Sequence, residues 1–404
     1  MARPVVGTGA ALTIIEMSMQ QSSPLLIPTL SAANFAVGFA GFSPVGVVAP
    51  IAAAFAITAA EAGWVMTTYA LAYAIGSPIL VALTGGLARR LVLAAGLGLV
   101  ALAGVLSAVA DTPSLLFATR ILAAFGAGVV TPVAAAVAAA SAAPERRGKA
   151  LAATFFGMTL AQVVGVPAGT WLGYAFGWPV AFWAASALAL LTAVAVYWLT
   201  PRDAPFQPAT LCALASALFD WRGLSAIFFT ATFLGSIYVV YTYMGPLLEA
   251  RMSYDGDGIS LTFLVFGLGA VVGNLLGGAM TDRLGANRWL MIVALTHIGF
   301  LPVYSLLPLG GAVFFVFVFV SSTLGWSFMA AQQTRLVTMA PARQGVTLAL
   351  NASSIYIGAA MGAAAGGATI AVWGLGALGW AAGVGALIAV ANLFVSYRLI
   401  GERS

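Results

Sequence analysis

The chain is 404 residues long, 62% hydrophobic and 7% charged, with a mean hydropathy of +1.04, whereas soluble domains carry about a quarter charged residues. That composition excludes a soluble enzyme, and the formal net charge of +5 does not suggest nucleic-acid binding, because the cations fall in short loops and form no continuous stripe. Cys212 is the single cysteine and cannot form an intrachain disulfide; no Cys/His cluster has metal-ligand spacing, so no metal or cofactor is expected.

The N-terminal tail, 1–27, carries Arg3 and Glu16 but no cationic head followed at once by a short apolar core and a cleavage site, so no cleaved signal peptide is predicted. Apolar runs of roughly 20 residues, long enough to cross a bilayer, are predicted at 28–54, 63–83, 91–110, 114–140, 150–173 and 178–200, a six-helix bundle over 28–200. Thr58-x-x-Glu61 reads as a capping box at the start of the second span. Residues 201–222 crowd Pro201, Pro205 and Pro208 among returning polar residues and read as a cytoplasmic linker. A second six-helix bundle, 223–397, has spans at 223–248, 259–280, 289–307, 311–333, 345–371 and 373–397, and 398–404 is a C-terminal tail. The fold class is an all-α membrane protein with twelve transmembrane helices.

The two bundles echo one another at an offset of about 190–200 residues. Pro50 is read as closing the first span and Pro246 the seventh; GGLARR at 85–90 aligns with GGAMTDR at 277–283, and the basic loop of Arg146, Arg147 and Lys149 with that of Arg335 and Arg343. Arg89, Arg90, Arg202, Arg222, Arg283, Arg288, Arg398 and Arg403 also fall in even-numbered loops, the linker or the C terminus, and only Arg251 falls in an odd-numbered loop. By the positive-inside rule the even-numbered loops and both termini are cytoplasmic.

Span five carries small residues at every fourth position, Gly157, Ala161, Gly165, Gly169 and Gly173, a face that lets another helix approach closely, with Pro167 inside it as a kink. Span eight repeats the pattern at Gly269, Gly273 and Gly277, and span eleven at Gly358, Gly362 and Gly366. Such faces serve static packing or sliding contacts. The loop GGAMTDRLGANR, 277–288, joins a tight turn to Asp282, Arg283 and Arg288, which suit the positive end of a neighbouring helix, carboxylates or headgroups. Arg120 lies about 9 Å inside span four; it is either a functional intramembrane charge or a side chain snorkelling to headgroups. Asn34, Tyr69, Gln162, Tyr241, Asn274, Gln332, Gln333 and Asn351 are polar candidates for a central substrate cavity, with interhelical hydrogen bonding as the rival use.

These stretches resemble the major facilitator superfamily, in the twelve-helix branch of drug:proton antiporters and sugar (arabinose-type), drug and nucleoside efflux permeases. The resemblance rests on GMTLAQVVGVPAGTWLG with Gly177 and Trp178, on the 277–288 loop, on LLFATRILAAFGAG around Arg120, and on F-x-x-G with G-x-x-x-P-I-A at 35–52. YTYMGPLLEA, FGLGAVVGN and NASSIYIGAAMG add to it, so the match covers nearly all the chain after residue 28. It implies two parallel six-helix repeats with a site near the midplane. It further implies that spans five and eight, and two and eleven, face each other across the halves, making the small-residue ridges the rocking interfaces. Arg89, Arg90, Asp282, Arg283 and Arg288 would latch the cytoplasmic side, although Ala88 stands where the first-half loop of the family has an aspartate.

The function expected is secondary active export of a small drug, sugar or nucleoside by a monomer in the bacterial inner membrane. The alternatives are facilitated or differently coupled transport and, more distantly, an intramembrane enzyme. GKA at 148–150 lacks the flanking residues of a phosphate loop, which leaves direct ATP drive unsupported. Channels and receptors lack support as well, since no charge ring or filter sequence occurs. Proton coupling is expected from the resemblance, yet no span interior carries a carboxylate; Glu249, His297 and Arg120 are the candidates, and His297 is read first as structural.

Overall fold

The computed structural model describes residues 23–201, 221–340 and 344–401. Most of the N-terminal tail with Arg3 and Glu16, nearly all the linker with Arg202 and Cys212, Arg343, and Arg403 lie outside the described residues. Among the described residues every regular element is helical, and twelve helices are long and apolar enough to cross a membrane. In chain order they are α1 (Leu26–Phe55), α2 (Ala59–Leu83), α3 (Arg89–Ala108), α4 (Pro113–Ala140), α5 (Arg147–Phe176) and α6 (Trp178–Leu199). The second set comprises α7 (Gly223–Tyr241), α8 (Gly256–Leu284), α9 (Ala286–Leu306), α10 (Gly311–Met339), α11 (Val346–Trp373) and α12 (Leu375–Leu399).

Local chemistry sets the helix starts. Thr58 and Glu61 form the capping box, with Thr58 N–H donating to Glu61 Oε2 at 2.8 Å and Glu61 N–H to Thr58 Oγ1 at 3.2 Å. Thr112 caps α4 ahead of Pro113, and Asp255 caps α8 through Gly258 N–H at 3.0 Å. The repeat is visible in the backbone itself. Ala56 and Ser253, 197 positions apart, both end a helix in the left-handed region (φ 51° and 53°), and Gly177 and Gly374, again 197 apart, both turn the chain with positive φ.

The two prolines read as closing spans do not close them. The interruption precedes each: a 3-10 turn at Ser43–Val47 in α1, and a two-residue break after Tyr241 in α7. Pro50 and Pro246 then sit in the first turns of the short helices Val48–Phe55 and Met244–Met252 that continue the two spans. A proline fits there because the first-turn N–H groups have no intrahelical partner.

Helices α1–α6 pack mainly on one another, as do α7–α12, and the two groups meet through α5 on α8 and α2 on α11. Within each group the pairing repeats. Asn34 of α1 donates Nδ2–H to Thr154 O of α5 at 3.0 Å; Thr230 of α7 donates to Asn351 Oδ1 of α11 at 2.6 Å.

Candidate functional site

The contacts joining the groups run from the end bearing the odd-numbered loops to the middle of the spans. There, Tyr174 OH of α5 donates to Glu249 Oε1 at 2.6 Å, Ser260 of α8 donates to Pro167 O at 2.8 Å, and Gly63 of α2 lies against the Tyr243 ring. Pro167 has no N–H for the carbonyl four residues back, and the α5 ladder opens into a π turn, Ala161–Gly165, just before it. That turn is where α8 crosses: an added Cβ on Gly267 would stand 2.6 Å from Val163 Cα and 3.0 Å from Gln162 O. Toward the even-numbered loops the first part of α5, Arg147–Leu160, packs instead on α1 and α4.

At mid-span the meeting surface is aromatic. Tyr73 of α2 stacks on Tyr356 of α11 with centroids 3.6 Å apart, while Phe42 and Tyr69 approach Tyr356 at 6.3 and 6.4 Å. Beside them a narrow crevice is lined by Phe42 and Gln162 from the first group and by Ile237, Tyr238, Tyr241, Phe266 and Trp326 from the second. Apolar and aromatic walls with a few convergent polar groups are the usual make-up of a small-molecule site.

Of the polar residues read as cavity candidates, Gln162 and Tyr241 line this crevice and Tyr69 borders the aromatic stack. Asn34, Gln332 and Asn351 are buried interhelical clamps. Gln332 Nε2–H donates to Ala226 O at 2.7 Å, joining α10 to α7 as Asn34 joins α1 to α5 and Asn351 joins α11 to α7. Asn274 and Gln333 are exposed. Arg120 does not snorkel. It is 2% exposed, donates Nη2–H to Gly41 O at 3.1 Å, and lies with its guanidinium carbon 4.6 Å from the Tyr69 ring centre and 5.7 Å from that of Phe182. Tyr73, Tyr356, Phe42, Tyr238, Phe266 and Trp326 are not singled out by the sequence, although Phe42, Tyr356 and Phe266 lie within the quoted stretches 35–52, NASSIYIGAAMG and FGLGAVVGN.

The small-residue ridges do not face across the groups. Gly157 abuts Ser31 O, Gly165 abuts Phe39, Gly169 abuts Ser43 and Gly173 abuts Val47, so the α5 ridge lies on α1 of its own group, with Pro167 buried beside it. In the second group Gly273 and Gly277 press on Thr323 and Ser327 of α10, and Gly358 and Gly362 on Ala231 and Gly235 of α7. The physical reason is approach distance: most of these glycines meet backbone or the base of a side chain and Gly165 meets the Phe39 ring, all within their own group.

At the even-loop end Arg89 is buried and donates Nη2–H to Thr84 O and Gly85 O at 2.8 and 2.6 Å, closing the end of α2. Arg90 lies over the Tyr197 ring at 5.1 Å, whereas Asp282, Arg283 and Arg288 are exposed around the α8–α9 turn. Glu249 is exposed at the opposite end, bonded to Tyr174. His297 is 1% exposed inside the second group, against Phe233 at 5.0 Å, and not on the surface between the groups.

The model of the Major Facilitator Superfamily matches residues 30–338. The chain is 33% identical over 365 residues to the MFS-type transporter YbcL of Bacillus subtilis (strain 168), covering 89% of this chain and 93% of that protein. It is 28% identical to a chloramphenicol resistance protein of Streptomyces lividans, covering 92% of this chain and 95% of the other. Among solved structures it resembles a bacterial homolog of the human lysosomal transporter Spinster, TM-score 0.72 with 17% identity, over 95% of this chain and 98% of that one.

Proposed function

The chain belongs to the Major Facilitator Superfamily, and from that premise we propose that it exports a small organic solute by alternating access, its two six-helix groups rocking about the aromatic surface where they meet. Family membership implies a small-molecule substrate and a lipid bilayer around the helices. One observation carries the reading: a single crevice takes Phe42 and Gln162 from one group and Tyr238, Tyr241 and Trp326 from the other, so any relative rotation remakes its walls. The likeness to a chloramphenicol resistance protein supports export of an antibiotic-like solute. The arginines of the even-numbered loops support a cytoplasmic placement of those loops and of both termini, in a bacterial plasma membrane.

For energy coupling we favour proton antiport through Glu249, which already bridges the two groups at the odd-loop end. Facilitated transport is the second reading, favoured by span interiors without carboxylates. Purified protein in proteoliposomes with an internal pH-sensitive dye separates them. Solute-driven proton movement that is lost in Glu249→Gln supports antiport; robust counterflow without proton movement supports the second reading; absence of counterflow across a panel of antibiotics, sugars and nucleosides removes both.

A further inference from the structure

Behind the aromatic crevice, α7, α8, α9 and α10 enclose a second chamber that shares Ile237, Tyr241, Phe266 and Trp326 with it. Its far end is polar. His297 Nδ1 lies 2.9 Å from Val293 O; a carbonyl only accepts, so Nδ1 carries the proton and the Nε2 lone pair is left for another donor. Nε2 faces Gly325, where an added Cβ would stand 3.1 Å from it. Glycine at this position lets α10 pass that close to the imidazole edge. A donor stands in the same wall: the indole N–H of Trp326 is buried without a hydrogen-bond partner, which is costly unless something accepts from it. The chamber has room for roughly one water-sized group, and among the described residues no Asp, Glu, Lys or Arg lines it.

We propose that this chamber is a subsite of the transport site that receives one hydroxyl of a neutral solute. The hydroxyl donates to His297 Nε2 and accepts from Trp326 Nε1–H, while the rest of the solute lies against Tyr241 and Phe266 in the crevice widened as the two groups part. A hydroxyl is the group that matches an acceptor and a donor in a space of this size. An ammonium or a carboxylate would enter without a counter-charge, and a ring exceeds the room. The inference rests on the carrier reading above and deepens it by naming the solute class.

Matched probes test it: thiamphenicol and florfenicol, which differ by a hydroxyl replaced by fluorine, and inosine with 2′,3′-dideoxyinosine. Affinities are measured by tryptophan fluorescence on the detergent-purified full chain, with wild type, His297→Phe and Gly325→Ala each checked for monodispersity. Gly325→Ala keeps the imidazole and sets a methyl against its Nε2 edge, the nearest neighbours being that edge and the flexible end of Ile237, so it remains informative where His297→Phe fails to fold. The expected result is that the hydroxylated member of at least one pair binds about ten-fold more tightly in wild type. That preference should fall to about two-fold or less in Gly325→Ala, through loss of affinity for the hydroxylated member. Equal affinities within both pairs, or a preference that survives Gly325→Ala, overturn the subsite. Binding of charged solutes alone overturns it while leaving the carrier reading intact; no binding or counterflow with any solute removes the carrier reading and the subsite together.

Discussion

The Tyr174 hydroxyl donates to Glu249 Oε1 at 2.6 Å, tying the last turns of α5 to the helix that extends α7 and so one six-helix group to the other. Tyr174→Phe removes the donor and leaves the ring in place. We predict that it lowers the population closed at the odd-loop end by about three-fold, the effect of losing one partly solvated hydrogen bond. Spin labels at Asp111 and Asp257, both exposed, report it as a longer-distance component. An unchanged distance distribution would show that the bond does not bias closure.

The small-residue positions divide into two mechanical classes. Gly157→Ala drives a methyl into Ser31 O inside one group and is predicted to cost about 1–3 kcal/mol of stability, read as a lower Tm and poor recovery. Gly267→Ala pushes on Val163 Cα across the groups; it should purify normally and fail in counterflow, because the clash is relieved by parting the groups. Normal transport by Gly267→Ala would place the moving contact elsewhere.

Arg120 is predicted to be held by shape as much as by charge. Its guanidinium lies by Tyr69 and Phe182 with Gly41 O as a partner, and lysine can keep the charge without the planar stack. Arg120→Met removes the buried charge at similar length, so its Tm in detergent should exceed that of Arg120→Lys by the equivalent of about 1–3 kcal/mol. The reverse order would show that the charge itself has an unrecognised partner.

Topology has a direct test. Single cysteines at Gly148 and Asp257, both exposed, in a Cys212→Ala background should label from opposite faces of intact cells, Asp257→Cys from outside. Labelling of Gly148→Cys by an impermeant maleimide would invert the assignment.

Sequence reveals the helices well because apolar length and end chemistry are local: the Thr58–Glu61 box lies where its residues predict. The ridges were legible as faces but not as partnerships. A run of glycines at every fourth position says that some backbone comes close, and α1 supplies that backbone for α5 where the family resemblance pointed to α8. The polar residues divide for the same reason. Asn34 and Gln162 are both amides in apolar spans, yet Asn34 reaches Thr154 O within its group while Gln162 lies on the π turn at the crossing. Nothing in the identity of Tyr73 or Tyr356 marks them as a stacked pair, since their 3.6 Å contact exists only once α2 and α11 are side by side.

Tight ridges inside the groups make each group a stiff lever, and the proposed rocking turns it about the Tyr73–Tyr356 contact at mid-span. The 28-residue helix Pro113–Ala140 is about 42 Å long at 1.5 Å per residue. A rotation of about 20° about its middle therefore sweeps either end through roughly 7 Å, the width of a sugar or a nucleobase. On the proposed rocking, one such rotation parts the Tyr174–Glu249 edge as it closes the opposite face of the membrane.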